Sequence, residues 1–324
     1  MTQVFTRIAG TGGYLPERIV TNHDLETMVE TTHDWIVART GIHQRHIAAE
    51  NETTCDLAEK AALQAMEAAA IGPEDIDLII VATTTADQVF PSTACKLQQH
   101  LDIPQGPAFD VQAVCAGFIY ALDIADKYIR SGTIRRALII GAETFSRIID
   151  WSDRNTCVLF GDGAGAVILE AAARPGIIAS HITADGRYRT LLEVPTGISS
   201  AYKTVQDGQA YVRMQGHEVF KWAVKALGNE AREMLAANDM TADELDWLVP
   251  HQANIRIISA TAKRLHISMD RVIKTVHQHG NTSAASVPLA LNIAVRDGRI
   301  QRGQTILLEA FGGGFTWGSA LIQY

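Results

Sequence analysis

Two stretches far apart in the chain carry the same pattern, and that echo constrains the fold more than any single element. "PEDIDLIIVATTT" (73–85) and "ADELDWLVPHQAN" (242–254) each place an acidic turn, with Asp77 or Asp246, ahead of a short buried strand. Each is followed by a polar-to-small junction that opens a helix: Val114-Cys115-Ala116-Gly117 in the first case, His279-Gly280-Asn281-Thr282 in the second. Both helices end near a glycine, in "YIRSGTIRRALIIGAE" and "AVRDGRIQRGQTILLEAFG". Such self-similarity marks two copies of one supersecondary unit. The seam falls in "AAARPGIIAS" (171–180), dividing the chain into halves 1–173 and 174–324. Equivalent points of two such halves can face each other across one cleft. Cys115 and Asn281 are expected as such a pair, with His251 joining them from the end of the second-half strand.

Runs rich in β-branched residues alternate with alanine-rich segments of helical period. "DLIIVATTT" (77–85), "RALIIGAET" (136–144) and "AGAVILE" (164–170) read as strands. "TTCDLAEKAALQAMEAA" (53–69), "GFIYALDIADKYIRSG" (117–132) and "HEVFKWAVKALGNEAREMLAAN" (217–238) read as helices. Near-continuous apolar strands imply sheets covered on both faces, an α/β arrangement. With 324 residues, 47% of them hydrophobic, the chain can bury a large core. A net charge of −8 argues against broad attraction to phosphate backbones, so no nucleic-acid partner is expected. No run reaches the roughly 18 uncharged apolar residues of a membrane span, and the N-terminal "MTQVFTRIAGTGGYLP" has no cationic leader. Cysteines 55, 95, 115 and 157 have neither the spacing of a disulfide scaffold nor that of a zinc knuckle. Reduced thiols and a cytoplasmic location are expected.

Cys115 stands where a strand gives way to a helix. A helix N-terminus stabilises a thiolate, and a depression of one unit from a free value of about 8.5 corresponds to roughly 1.4 kcal/mol. The same N–H groups can hold an oxyanion formed on a thioester. Ala116 and Gly117 are expected to leave room beside the sulfur. A buried structural cysteine satisfies the same pattern. His251, in "VPHQANIRI", follows a strand on a loop, where open α/β sheets place functional groups, although a helix N-terminal or surface histidine also fits. Asn281 can cap the helix that follows it. "HQH" (277–279) puts two imidazoles on one side of a strand, but no third ligand accompanies them, so no metal site is expected. "FGDGAGAVILE" (160–170) runs into a strand where a dinucleotide motif demands a helix, and reads as a tight glycine turn. Gly312 to Gly314 allow close backbone approach. Arg256, Lys263, Arg264, Arg271 and Lys274 against Asp270 make a local basic face just after His251. It suits an acidic protein partner or an ordinary solvated helix.

Taken together, "AVCAGF", "PHQANIRI", "HGNTSAASVPLAL", "FGDGAGA" and "EAFGGGFTWGSAL" resemble the motifs of β-ketoacyl-acyl-carrier-protein synthase III, the initiating condensing enzyme of type II fatty acid synthesis. The resemblance covers essentially the whole chain. It implies an α/β thiolase-like fold, two duplicated halves in a five-layered α-β-α-β-α arrangement, usually a homodimer. It places a Cys-His-Asn triad on Cys115, His251 and Asn281, an oxyanion donor at Gly313 and a shielding phenylalanine at Phe311. It implies acetyl-CoA as substrate and CoA as product, with no permanently bound cofactor. Thr31, Trp35, Arg39 and Arg154 match positions that contact CoA, the adenine stacking between Trp35 and Arg154. Asn155 departs from the glycine common there. Malonyl-acyl-carrier protein is the implied partner, at Gln252, Ala253, Asn254, Ile255, Arg256, Lys221, Lys263 and Arg264. Phe90 matches the residue that limits the partner subunit's acyl pocket, implying a short primer. Elongating synthases use two histidines, and thiolases a second cysteine near the C-terminus; this chain has Asn281 and no cysteine after 157. A secondary-metabolic relative with another primer or acceptor is the alternative, and a nucleotide-binding oxidoreductase or a non-catalytic subunit fits the motifs less well.

Overall fold

The computed structural model describes residues 4–324, which form two stacked β-sheets separated and flanked by helices. The first sheet comprises β1 (Phe5–Tyr14), β2 (Leu78–Ala82), β3 (Ala108–Val111), β4 (Arg136–Glu143) and β5 (Gly163–Ala172), in the order β1-β5-β4-β2-β3. The second comprises β6 (Ile177–Ala184), β7 (Trp247–Pro250), β8 (Thr305–Gly312) and β9 (Thr316–Gln323), in the order β7-β8-β9-β6. β2 runs parallel to β3 and β4, and β7 runs parallel to β8.

Alternation along the strands builds the layers. On β2, Leu78, Ile80 and Ala82 face the space between the sheets, while Ile79 and Val81 face outward. On β8, Ile306, Leu308 and Ala310 face inward and Leu307 outward. Both sets are buried, which is why these strands read as continuous apolar runs. Each such Ile or Leu contributes about 1.5–3 kcal/mol through burial. Helices α3 (Gly117–Arg130) and α6 (Ser286–Arg296) fill the central layer. On the first sheet's outer face lie α1 (Thr54–Ala69) and α2 (Thr93–His100). α4 (Gly216–Ala237) and α5 (Ile255–Arg264) cover the second. The result is the five-layered duplicated arrangement that the resemblance implied.

The repeat is more regular in space than in sequence. Short 3-10 turns begin at 73 and 242, β2 and β7 at 78 and 247, α3 and α6 at 117 and 286, and β4 and β8 at 136 and 305, a constant separation of 169. Even the anchoring contact repeats: Asp77 Oδ2 accepts the Arg136 N–H at 2.9 Å, and Asp246 Oδ2 accepts the Thr305 N–H at 2.7 Å. By this spacing the counterpart of Cys115 is Ala284, not Asn281. Val114 and Ser283, the residues before them, both sit in the left-handed region at φ 47° and 49°. Asn281 lies two residues ahead of its elbow because a short helix, Val276–His279, and Gly280 precede it. That helix also corrects the strand expected at 277–279, so His277 and His279 do not share a strand face.

The two elbows touch because the residues around them are small. Gly141 on β4 and Gly165 on β5 are cross-strand neighbours. A Cβ on Gly165 would lie 2.6 Å from Leu289 N, and one on Gly141 would run into the Ala284 carbonyl oxygen. The glycines of "FGDGAGA" therefore serve close packing. Gly141→Ala is expected to destabilise the protein by about 1–3 kcal/mol through overpacking, read as a fall in the urea midpoint; an unchanged midpoint would contradict this contact.

Candidate active site

Cys115 lies in the 3-10 turn Val114–Ala116 between β3 and α3 and is buried. The left-handed Val114 bends the chain sharply and leaves Cys115 on the wall of a cavity of ≈ 560 Å³ that opens to the surface beside Arg39, His217 and Arg256. His251, Asn281 and Phe311 line the same cavity. The room expected from Ala116 and Gly117 is filled by the protein itself: a Cβ on Gly117 would lie 3.1 Å from Ala82 Cβ and 3.6 Å from Ala284 Cβ. The β8–β9 hairpin presses on the same turn. A Cβ on Gly312 would lie 2.7 Å from Cys115 N, and Thr316 Oγ1 donates to Ala113 O at 2.9 Å. Gly313 follows, with Leu192 O 2.8 Å from where its Cβ would be.

His251 extends from β7, its N–H donating to Glu309 O on β8 at 2.8 Å. Burial disfavours the charged ring and pushes its pKa down from 6.5 to about 3, so the imidazole is neutral near pH 7. Nδ1 makes no hydrogen bond within the protein. Asn281 is clamped at both backbone groups: its N–H donates to Leu159 O at 2.9 Å and its O accepts from Gly161 N–H at 3.0 Å. Its Oδ1 accepts the Ser283 N–H at 3.0 Å. The amide oxygen is thereby committed, leaving Nδ2 as the donor for the cavity. Asn281 thus caps the turn and still lines the cavity.

The expected acidic thiol is not what the structure holds. Burial pushes the Cys115 thiol up to about 12, and the charge of Glu143 pushes the same way; the Ser283 hydroxyl and the cysteine's own N–H oppose it. Desolvation outweighs the helix terminus, so the resting group is protonated. Burial pushes Cys55 and Cys157 up as well, to about 12 and about 11. Cavity position, not acidity, distinguishes Cys115.

Arg39 and Asn155 reach the cavity wall, and Trp35 stands beside them. Trp35 belongs to the short helix His33–Thr40, capped by Thr32, whose Oγ1 accepts the Trp35 N–H at 3.1 Å. The guanidinium carbons of Arg39 and Arg154 lie 4.9 and 4.8 Å from the Trp35 ring centroid. Arg154 is tethered to Glu30 O at 2.8 Å. A base between Trp35 and Arg154 needs two separations of roughly 3.5 Å, so Arg154 must swing outward to admit one. Thr31 Oγ1 is buried without a partner in the same region.

Lys221 on α4 and Arg256, Lys263 and Arg264 on α5 are exposed and share one pair of packed helices. Arg256 lies 5.4 Å over Phe220 and lines the cavity, while Arg264 crosses to Asn229 Oδ1 at 2.9 Å. Sequence reasoning missed Lys225, one turn beyond Lys221, whose spacing of four was the available signal. Gln252 does not belong to this surface. It is 1% exposed, and its side chain donates to Pro250 O and Ile273 O and accepts from Thr275 and Val276 N–H, bracing the loop from inside. Ala253 and Asn254 line the cavity; Asn254 caps α5, accepting the Ile257 N–H at 3.0 Å, and Ile255 packs on Gly41. Phe90 and Val89 are 83% and 75% exposed, and neither lines this cavity.

Five layers built from a duplicated α/β unit, with a buried cysteine turn opening on a cavity, define a thiolase-fold acyltransferase. Residues 109–186 match the family described as 3-oxoacyl-[acyl-carrier-protein (ACP)] synthase III, and residues 235–324 match its C-terminal counterpart. The β-ketoacyl-[acyl-carrier-protein] synthase III of Thioalkalivibrio sulfidiphilus is 63% identical over 320 residues, 99% of each chain. The crystal structure of 3-oxoacyl-[acyl-carrier-protein] synthase III from Aquifex aeolicus superposes with TM-score 0.93 at 46% identity, covering 98% of this chain and 100% of that one. The priming β-ketosynthase of the R1128 polyketide pathway gives TM-score 0.95 at 35% identity, over 99% and 96%. The chain belongs to the β-ketoacyl-acyl-carrier-protein synthase III family, and it is an initiating condensing enzyme of fatty acid synthesis.

A ring held neutral by burial has a simple signature. The His251 Cε1–H resonance is expected not to titrate between pH 5 and 9 in NMR of histidine-labelled protein, assigned with a His251→Gln variant. A midpoint near 6.5 would show that the cavity is wet enough to charge the ring.

Proposed function

We propose that this chain condenses acetyl-CoA with malonyl-acyl-carrier protein, giving acetoacetyl-acyl-carrier protein, CoA and CO2 through an acyl-Cys115 intermediate. The observation that carries this reading is the convergence of Cys115, His251, Asn281 and Phe311 on one cavity. Cys115 attacks the acetyl thioester, and the oxyanion that forms accepts hydrogen bonds from the N–H groups of Cys115 and Gly313. After CoA leaves, the malonyl group enters. Its thioester oxygen accepts hydrogen bonds from one ring N–H of neutral His251 and from Asn281 Nδ2, which stabilise the enolate as CO2 departs. Phe311, packed on Phe315 at 4.6 Å between centroids, keeps that face apolar and favours loss of the carboxylate's charge. The carbanion then attacks the acetyl-cysteine.

CoA is substrate and product, not a resident cofactor. Trp35, Arg39, Arg154 and Thr31 hold its nucleotide end once Arg154 moves off the indole. Arg256, Lys221, Lys263 and Arg264, joined by Lys225, present positive charge to the carrier protein at the cavity mouth. A homodimer fits two features: β3 is an edge of the first sheet, and Phe90 stands exposed, free to enter a partner's cavity and limit the primer there. Division of the chain at 173/174 falls between the end of β5 and the start of β6. All four cysteines are unpaired, which suits a reducing cytoplasm. The likeness to a polyketide priming enzyme supports a second reading with another primer or acceptor, and an acyl-CoA panel separates the two.

Incubation with acetyl-CoA is expected to add one acetyl group to Cys115, seen by intact mass and peptide mapping and lost in Cys115→Ser. An adduct on another cysteine would remove this mechanism. Asn281→Ala should still acylate but condense roughly 100-fold more slowly, the cost of losing one oxyanion donor; an equal loss in both half-reactions would show a merely structural role.

A further inference from the structure

Away from the cavity, a second buried thiol meets a group of donors that the condensation scheme does not use. Cys55 and Asp56 lie in the first turn of α1, Glu59 follows one turn later, and His100 ends α2 opposite them. One ligand atom each from Asp56, Glu59 and His100 lies within 4.8 Å of the other two. His100 Nδ1 stands 2.9 Å from Glu59 Oε2 and 3.9 Å from Cys55 Sγ. A carboxylate only accepts, so the Nδ1 proton faces Glu59 and that nitrogen offers the thiol no lone pair. Cys55 is 0% exposed, and its sulfur has no other hydrogen-bond partner among the described residues. A buried polar group therefore points into the cluster without a mate. Asp56 gives Oδ2 to the Thr53 N–H and hydroxyl at 2.7 and 2.8 Å, which leaves Oδ1 as a donor atom. The neighbouring lysines are committed elsewhere, Lys96 to Asp87 at 2.7 Å and Lys60 to Glu52 at 2.8 Å.

We propose that Cys55, Glu59 and His100, with Asp56 as the fourth donor, bind a zinc ion that clamps α1 to α2. Zinc bonds of about 2.3 Å to sulfur and about 2.0–2.1 Å to nitrogen and oxygen, at tetrahedral angles, hold sulfur and nitrogen about 3.6 Å apart and nitrogen and oxygen about 3.4 Å apart. The separations present, 3.9 and 2.9 Å, come within roughly 0.5 Å of those values, a shift that side-chain rotation covers. Donor chemistry selects the ion, since thiolate and imidazole suit zinc whereas magnesium and calcium take oxygen ligands. As the metal–sulfur bond forms, Cys55 Sγ turns its S–H electron pair to the ion and its proton leaves to solvent. His100 gives up its Nδ1 proton to solvent, takes one at Nε2 and ligates through the freed Nδ1 lone pair. No electron changes hands. Asp87 Oδ1 accepts the Cys55 N–H at 3.1 Å, and α2 begins two residues after Pro91. The clamp thus sits at the base of the 84–92 loop that presents Phe90. It is independent of acylation at Cys115.

The test titrates Co2+ into the reduced, chelator-treated full chain, with Cys115→Ser in every arm so that the cavity thiol contributes nothing. One equivalent is expected to give tetrahedral visible bands and a near-ultraviolet thiolate-to-cobalt charge-transfer band, both displaced by equimolar Zn2+. Cys55→Ala should abolish the charge-transfer band. Glu59→Gln and His100→Leu should each raise the midpoint of the titration at least about tenfold. Zn2+ should also raise the melting temperature of the parent protein and leave that of Cys55→Ala unchanged. Absence of a charge-transfer band at excess Co2+, or a band that survives in Cys55→Ala, overturns the site. A weak octahedral spectrum alone means that exposed carboxylates bind the ion without the thiol, and overturns it equally. His100 is at the surface, so His100→Leu carries the test if Cys55→Ala does not fold; an unchanged midpoint there removes the clamp.

Discussion

Two left-handed elbows, at Val114 and Ser283, pack against each other at the centre of the molecule, and the cavity exists because they do. Each elbow lies within the connection that leads to β4 or β8 and starts a central helix, α3 or α6, that has no side-chain cap at its N-terminus. The contact is possible only because Gly117, Gly141, Gly165 and Ala284 present almost no side chain where backbone meets backbone. Strand ends buried on both faces then hold the elbows in place, as no layer can shift without exposing core. From this junction Cys115 comes from one half, and Asn281 and His251 from the other.

Low dielectric is the second consequence of that packing. Removing water holds His251 neutral, keeps the Cys115 thiol protonated and lifts Glu143 toward neutrality. These shifts are mutually consistent: a neutral imidazole and a neutral amide suit an enolate that must be stabilised without proton transfer. The Ser283–Glu143 hydrogen bond spans the two halves at this same junction.

Much of this was legible in the residues. Apolar runs at 77–85 and 136–144, alanine-rich helical periods and the echo of 73–85 in 242–254 specify doubly covered strands and a duplicated unit, since burial of both strand faces leaves a direct compositional trace. Motif order identified the family and marked Cys115, His251 and Asn281. Other features were not legible. The equivalence of Cys115 with Ala284 follows from the 169-residue offset that 73–85 and 242–254 already carry, but the left-handed Ser283 beside it is a backbone state that serine does not announce. Gln252 reads as a loop polar residue, yet its hydrogen bonds turn it inward. Glu143 reads as the polar end of a strand; nothing local tells that Ser283, 140 residues away, will close over it.

The sequence by itself determined the layers, the repeat and the chemical types available, because periodicity and side-chain chemistry are local properties. Tertiary structure alone decided which of those groups share a cavity and in what protonation state. Proximity across halves and loss of solvent arise only when the two elbows meet.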